Sequence, residues 1–170
     1  MNWPDNGAAV AWSAPGPWRA GAAPETRKAD PVLSFEADIP FVTELGFTLH
    51  KRSGGESELH YTPRPEHMNS FGVTHGGALM ALLDVTLAQA ASSVAPNTGG
   101  VTIEMKTSFM LPARGPLVAK GLLLHKTHGG MAYVEGGVYD AEGLLCCKAS
   151  GTFKLKRRDP APVVQDSAVA

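Results

Sequence analysis

The stretch from Thr74 or His75 to about Val94 reads as one long helix that is apolar on almost every side. A helix without a polar face must be covered on most of its surface. No other segment of the chain reads as a second long helix, so the cover has to come from strands. The flanking segments supply them. IPFVTELG reads as a short helix, and FTLHKRSGGESELHYTP as a hairpin with Ser53, Gly54 and Gly55 at its turn. After PNTGG come four further runs that read as strands. VTIEMKTSFM alternates strictly, with Val101, Ile103 and Met105 set against Thr102, Glu104 and Lys106, which puts Thr102 on the polar face. LVAKGLLLHK, MAYVEGGVYD and LLCCKASGTFKLK follow, separated by short Gly-bearing turns that predict antiparallel hairpins between sequential strands. One apolar helix with about five to six strands predicts an α+β domain whose curved antiparallel sheet wraps the helix. A single sheet cannot close around it, so the remaining stripe is expected to meet a second subunit.

The ends of the chain differ from this pattern. Residues 1–33 are rich in Pro, Ala and Gly, lack periodicity and carry Trp3, Trp12 and Trp18. They read as a flexible arm, or as one whose indoles dock on a neighbouring subunit. Residues 34–157 form the predicted domain, and residues 158–170 read as a tail. The first residues, MNWPDNGAAV, lack the basic and apolar regions of a signal peptide, and Asp84 interrupts the only near-candidate for a membrane span. A cytoplasmic chain is expected. A net charge of −1 and a pI of about 6.6 give no support for binding nucleic acid or an anionic membrane. Cys146 and Cys147 are adjacent on a strand and point to opposite faces, which suits neither a disulfide nor a metal clamp. His50, His60, His67, His125 and His128 show no metal-ligand spacing.

Asp84 is the anomaly in the helix. Its neighbours one turn away are Met80, Ala81, Leu87 and Ala88. A carboxylate on such a stripe must be paired, protonated or functional, because burying an unpaired charge costs several kcal/mol. Seven residues earlier, the helix begins with His75, Gly76 and Gly77. Backbone N–H groups in a first turn lack intrahelical partners, and glycines let a ligand come close to them. The helix dipole adds partial positive charge there. Such an amide suits a carbonyl oxygen that gains negative charge during acyl transfer. Gly77 and Asp84 are nevertheless about 10 Å apart along a helix. One reacting carbonyl cannot lie near both in the same chain. If both serve one reaction, they come from two antiparallel helices related by a two-fold axis.

The pattern Asn69-x-x-Gly-x-x-His75-Gly76-Gly77, with Asp84 seven residues on, resembles the hotdog-fold acyl-CoA thioesterases, in particular the phenylacetate-pathway-like group. The resemblance spans about residues 38–156 and includes EMKTSFMLPARG. It implies a hotdog fold assembled as a homodimer, often as a tetramer built from two dimers. It also implies hydrolysis of an acyl-CoA thioester to a carboxylic acid and free coenzyme A. In this chain Asp84 is then the catalytic general base or nucleophile, and the Gly77 amide of the partner polarises the carbonyl. Asn69 helps to position water or substrate, His75 organises the turn beside the thioester, and Thr102 lies near the attacking water. Gly76 and Arg114 would contact substrate. Arg114 and the run Lys154–Arg158 can reach the nucleotide phosphates, or lie as a solvated strand end. A thioester is already activated, so no metal or organic cofactor is expected. The alternative is a non-catalytic acyl-CoA binding or sensing domain of the same fold, which could dispense with Asp84.

Overall fold

The computed structural model describes residues 31–158. The tryptophan-bearing arm up to Asp30 and the tail from Asp159 lie outside the described residues. Pro40 starts a short helix, α1 (Pro40–Leu45), and Gly46 ends it in the left-handed conformation, its N–H bonded back to Val42 and Thr43. A hairpin follows, β1 (Thr48–Ser53) and β2 (Glu56–Tyr61), turning at Gly54 and Gly55, both with positive φ. Leu49, Leu59 and Tyr61 point inward, as alternation requires. The central helix α2 runs Gly76–Ser92. Four strands complete the fold: β3 (Thr98–Phe109), β4 (Leu117–Lys126), β5 (Met131–Tyr139) and β6 (Leu145–Arg157).

All six strands join in one antiparallel sheet of order β1-β2-β4-β5-β6-β3. This corrects one expectation. β3 and β4 are consecutive but do not form a hairpin. β3 pairs along its length with β6 at the sheet edge, while β4 lies between β2 and β5. β3 and β6 are the two longest strands, at 12 and 13 residues, and together they form the longest ladder available. The connection after β3 is anchored to the segment before α2, where Thr74 N–H donates to the Ala113 carbonyl.

The sheet curls around α2. Leu82, Leu83 and Leu87 are fully buried among Leu49, Leu59, Leu117, Val134, Val138 and Phe153. Close contact depends on small residues in the sheet. A Cβ at Gly121 would lie 3.1 Å from the Thr86 carbonyl oxygen, and one at Gly136 would lie 2.8 Å from Leu87. Two buried polar groups here are paired: Ser57 Oγ donates to the Thr86 carbonyl, and Thr86 Oγ1 to that of Leu82. One stripe of the helix is left incompletely covered. Gly77 and Met80 are exposed, and Ala81, Asp84 and Ala88 are half-buried. Residues 77, 81, 84 and 88 share one face at helical spacing. Among the described residues, no helix is long and apolar enough to cross a membrane.

Candidate active site

β3 runs along the open stripe of α2 in the opposite direction. A Cβ at Gly100 would meet Ala88 at 3.2 Å, and one at Gly76 would meet the Phe109 ring at 3.4 Å. The strand therefore tracks the helix from its C-terminal half back to its start. Between these contacts, Thr102 Oγ1 donates to Asp84 Oδ1 at 2.5 Å. The acid of the helix thus meets a hydroxyl of the edge strand.

Strict alternation would have turned Thr102 away, and a β-bulge explains why it does not. Thr102 is opposite Phe153, but Glu104 is opposite Thr152, so Ile103 is an extra residue in the ladder. Phe153 is buried on the helix side, and Thr102, its partner, shares that face. Beyond the bulge the phase reverses: Met105 opposite Gly151 faces inward, and Glu104 bonds to Thr152 on the outer face. The expectation that Thr102 occupies a uniform polar face is corrected accordingly. Bulges commonly re-aim a side chain in this way at strand edges and sites. Ile103 itself is 58 % exposed and Val101 47 %.

The start of α2 is built from three further predicted residues. His75 is the N-cap, and its Nδ1 accepts from the Gly77 N–H at 2.9 Å. An N–H can only donate, so the neutral ring carries its proton on Nε2. The Gly77 amide is thereby occupied. The Gly76 N–H has no hydrogen-bond partner among the described residues. The His75 N–H donates to the His67 carbonyl, and His67 Nδ1 lies 2.8 Å from the Tyr61 hydroxyl, which ties the helix start to the buried end of β2.

Asn69 and Arg114 lie on the loop that leads into this start. Asn69 Oδ1 accepts from the N–H groups of Phe71 and Val73, holding the turn that contains Gly72. Arg114 Nη1 donates to the Gly72 carbonyl at 2.8 Å. Both side chains therefore shape the loop. In this one chain, Asp84 and Thr102 are in contact, and His75, Gly76 and Gly77 are together about 10 Å away along the helix.

Beside Asp84 a cleft of about 230 Å³ runs along the C-terminal half of α2, with Val85, Ala88 and Gln89 on one side and Gly99, Gly100 and Arg158 on the other. Gln89 was missed in the sequence reading. The signal that singled out Asp84, a lone polar group on an apolar helix, applied to it as well. Among the described residues, no group of three His, Cys, Asp or Glu side chains could hold a metal ion.

Comparison with known proteins is consistent with this architecture. The profile of the Thioesterase superfamily matches residues 71–147, from the loop before α2 to β6. An esterase-named protein of Saccharolobus solfataricus is 31 % identical over 132 residues, covering 77 % of this chain and 87 % of the relative. The phenylacetic acid degradation protein PaaI of Thermus thermophilus, solved as a mutant, superposes with a TM-score of 0.62 at 25 % identity, covering 68 % of this chain and 99 % of that one. A conserved protein of Pseudomonas aeruginosa gives a TM-score of 0.66 at 27 % identity over 70 % of this chain and 95 % of its own. With its helix wrapped by a six-stranded sheet and these relatives, the chain belongs to the hotdog-fold thioesterase superfamily, in its PaaI-like group, whose chemistry is the hydrolysis of thioesters.

Proposed function

We propose that the protein hydrolyses acyl-CoA thioesters to a carboxylic acid and free coenzyme A, at sites shared between two subunits. The observation that carries this reading is the Thr102–Asp84 contact on the open stripe of α2. The Thr102 hydroxyl holds one carboxylate oxygen and leaves the other for chemistry. Asp84 then removes a proton from a water that attacks the carbonyl carbon, and the C–S bond breaks as the coenzyme A thiolate leaves and takes up that proton. In the other route the carboxylate attacks the carbon, displaces the thiolate and forms a mixed anhydride that water hydrolyses. The lone pairs of Thr102 Oγ1 can receive a hydrogen bond from the attacking water.

The oxyanion donor belongs to the start of the partner's α2. For Gly77 to serve, the His75 ring has to turn away, because the Gly77 N–H is bonded to it. The neighbouring Gly76 N–H needs no such change, and we assign it the main role. His75 Nε2–H supplies a second donor near the thioester, its tautomer set by the Gly77 amide. Asn69 holds the loop that carries these groups. Arg114 spends one N–H on Gly72, and its remaining N–H groups suit a nucleotide phosphate at the surface.

The edge strand supports the two-chain arrangement. Val101, Ile103, Phe109 and Met110 on or beside β3 are exposed, and Phe71 at the helix start is 80 % exposed. An uncovered apolar edge of this kind suits a second copy of the chain. Pairs of such dimers would form the tetramer. The direct test is thiol release from a panel of short, medium and aryl-acetyl CoA esters by wild type and Asp84→Asn. Wild type should release thiol, and the variant should lose about 100-fold or more in turnover. Saturable binding of the same esters without thiol release would instead favour the binding domain.

A further inference from the structure

The cleft beside Asp84 is lined in part by Gln89, whose side-chain amide neither the fold nor the proposed hydrolysis uses. Gln89 is 4 % exposed, and its Oε1 is buried without a hydrogen-bond partner among the described residues. A buried amide oxygen left unpaired is destabilising, and such groups are rare without a reason. Its neighbours are paired: Thr86 Oγ1 donates to the Leu82 carbonyl and Ser92 Oγ to that of Gln89. Gln89 shares the cleft with Asp84, and Val85 and Ala88 line the space between them. The two residues are about 7.5 Å apart along the helix axis. The opposite wall stays close because Gly100 has no side chain where β3 meets Ala88.

We propose that Gln89 is a specificity-determining residue that hydrogen-bonds a hydroxyl near the far end of the acyl group. This rests on the reading of Asp84 as the reacting carboxylate, which fixes where the thioester end lies. A hydroxyl suits the site in either orientation of the carboxamide, since it both donates and accepts. A carboxylate at that position would need Arg158, the cation of the cleft. Arg158 Nη1 is already bonded to the carbonyls of Phe35 and Glu36, and the Glu36 carboxylate lies 3.9 Å away. An acyl group ending in a methyl leaves Gln89 unpaired, and the discrimination arises there.

The test compares kcat/KM for ω-hydroxyhexanoyl-CoA and heptanoyl-CoA, which match in chain length, using wild type, Gln89→Met and Asp84→Asn. Wild type should favour the hydroxy ester by about tenfold or more, the scale of one hydrogen bond in a buried site. Gln89→Met keeps the length of the side chain and should bring the ratio to one or below, mainly by improving heptanoyl-CoA. The wild-type ratio needs no variant, so a Gln89→Met protein that fails to fold does not remove the test. A wild-type ratio at or below one, or an unchanged ratio in Gln89→Met, overturns the role of Gln89. If Asp84→Asn has meanwhile lost turnover on both esters, the catalytic reading stands alone. Full turnover in Asp84→Asn overturns both, whereas a wild type that releases thiol from another ester of the panel but hydrolyses neither of these two overturns the role of Gln89 alone.

Discussion

Thr102 Oγ1 donates to Asp84 Oδ1 at 2.5 Å, joining the edge strand of the sheet to the centre of the helix that the sheet wraps. The contact orients a carboxylate that would otherwise rotate freely on a half-covered helix face. It also leaves that carboxylate partly open to solvent.

The first prediction follows from this contact. Thr102→Val keeps the β-branched shape and removes the hydroxyl. It should lower kcat by about 10- to 100-fold, the scale of one hydrogen bond to a charged group. Thr102→Ser should retain most of the rate. Melting temperature should hardly move in either variant, because the side chain is exposed. A Thr102→Val enzyme with unaltered kcat would show that Asp84 needs no such partner.

The same contact shows what could be read from the chain and what could not. The long helix, its glycine start and six strands were legible because their periodicities are strong. Asp84 stood out as a charge without a local partner. Thr102 was reached through resemblance alone, since Val101, Ile103 and Met105 alternate so regularly that the bulge at Ile103 leaves no trace in the pattern. The alternation misled because Val101 and Ile103 lie exposed on an edge strand, where apolar side chains need not face the core of their own chain. The pairing of β3 with β6 was hidden for a related reason. Short turns favour hairpins, but the run from Met110 to Pro116 carries the chain back to the middle of the sheet, and no local propensity encodes that destination.

A second prediction concerns the support behind Thr102. A Cβ on Gly100 would lie 3.2 Å from the Cα of Ala88 and 3.3 Å from its carbonyl oxygen. These are backbone atoms of a buried helix and cannot swing aside. Gly100→Ala should push β3 away from α2, destabilising the protein by about 1–3 kcal/mol. Thr102 would be lifted from Asp84 at the same time, so kcat should fall together with the melting temperature. Gly99→Ala is the control. Its added methyl would meet only the Arg158 side chain at 3.5 Å, an ordinary contact, and should cost much less.

A third prediction concerns pH. Burial pushes the Cys146 thiol up to about 11 and the Cys147 thiol up to about 12. Both are free and fully buried. The folded chain therefore keeps these protons at pH values where the unfolded chain, with thiols near about 8.5, has released them. Stability is fully present below that unfolded value and declines as pH rises above it, by roughly 1 kcal/mol per pH unit for each thiol. Denaturant midpoints measured from about pH 8 to about pH 10 should fall more steeply in wild type than in a Cys146→Ala, Cys147→Ala variant. Native protein should also be silent to Ellman's reagent, so thiol-release assays carry no background from the enzyme. Rapid native labelling would show that the strand opens far more readily than its burial implies.

The last prediction separates the two candidate amides and tests the sharing of sites. Gly76 is the first helical residue of α2, and His75 before it has φ −59 and ψ 135. Proline is well tolerated at such a position, and an extended residue before it is what proline requires. Gly76→Pro therefore deletes one N–H with little cost to the helix. A Cβ there would lie 3.4 Å from the Phe109 ring, an ordinary contact. If the Gly76 amide is the oxyanion donor, kcat should fall by about 100- to 1,000-fold with the melting temperature nearly unchanged. If Gly77 is the donor, Gly76→Pro should stay active. An inactive Gly76→Pro can then be mixed with Asp84→Asn under conditions of subunit exchange. Half of the dimers in an equal mixture are heterodimers. In each, the proline-free helix start of one chain faces the intact Asp84 of the other, and the second site lacks both groups. Activity should therefore return to about a quarter of the wild-type level. Complete exchange without any recovery would overturn the shared-site arrangement.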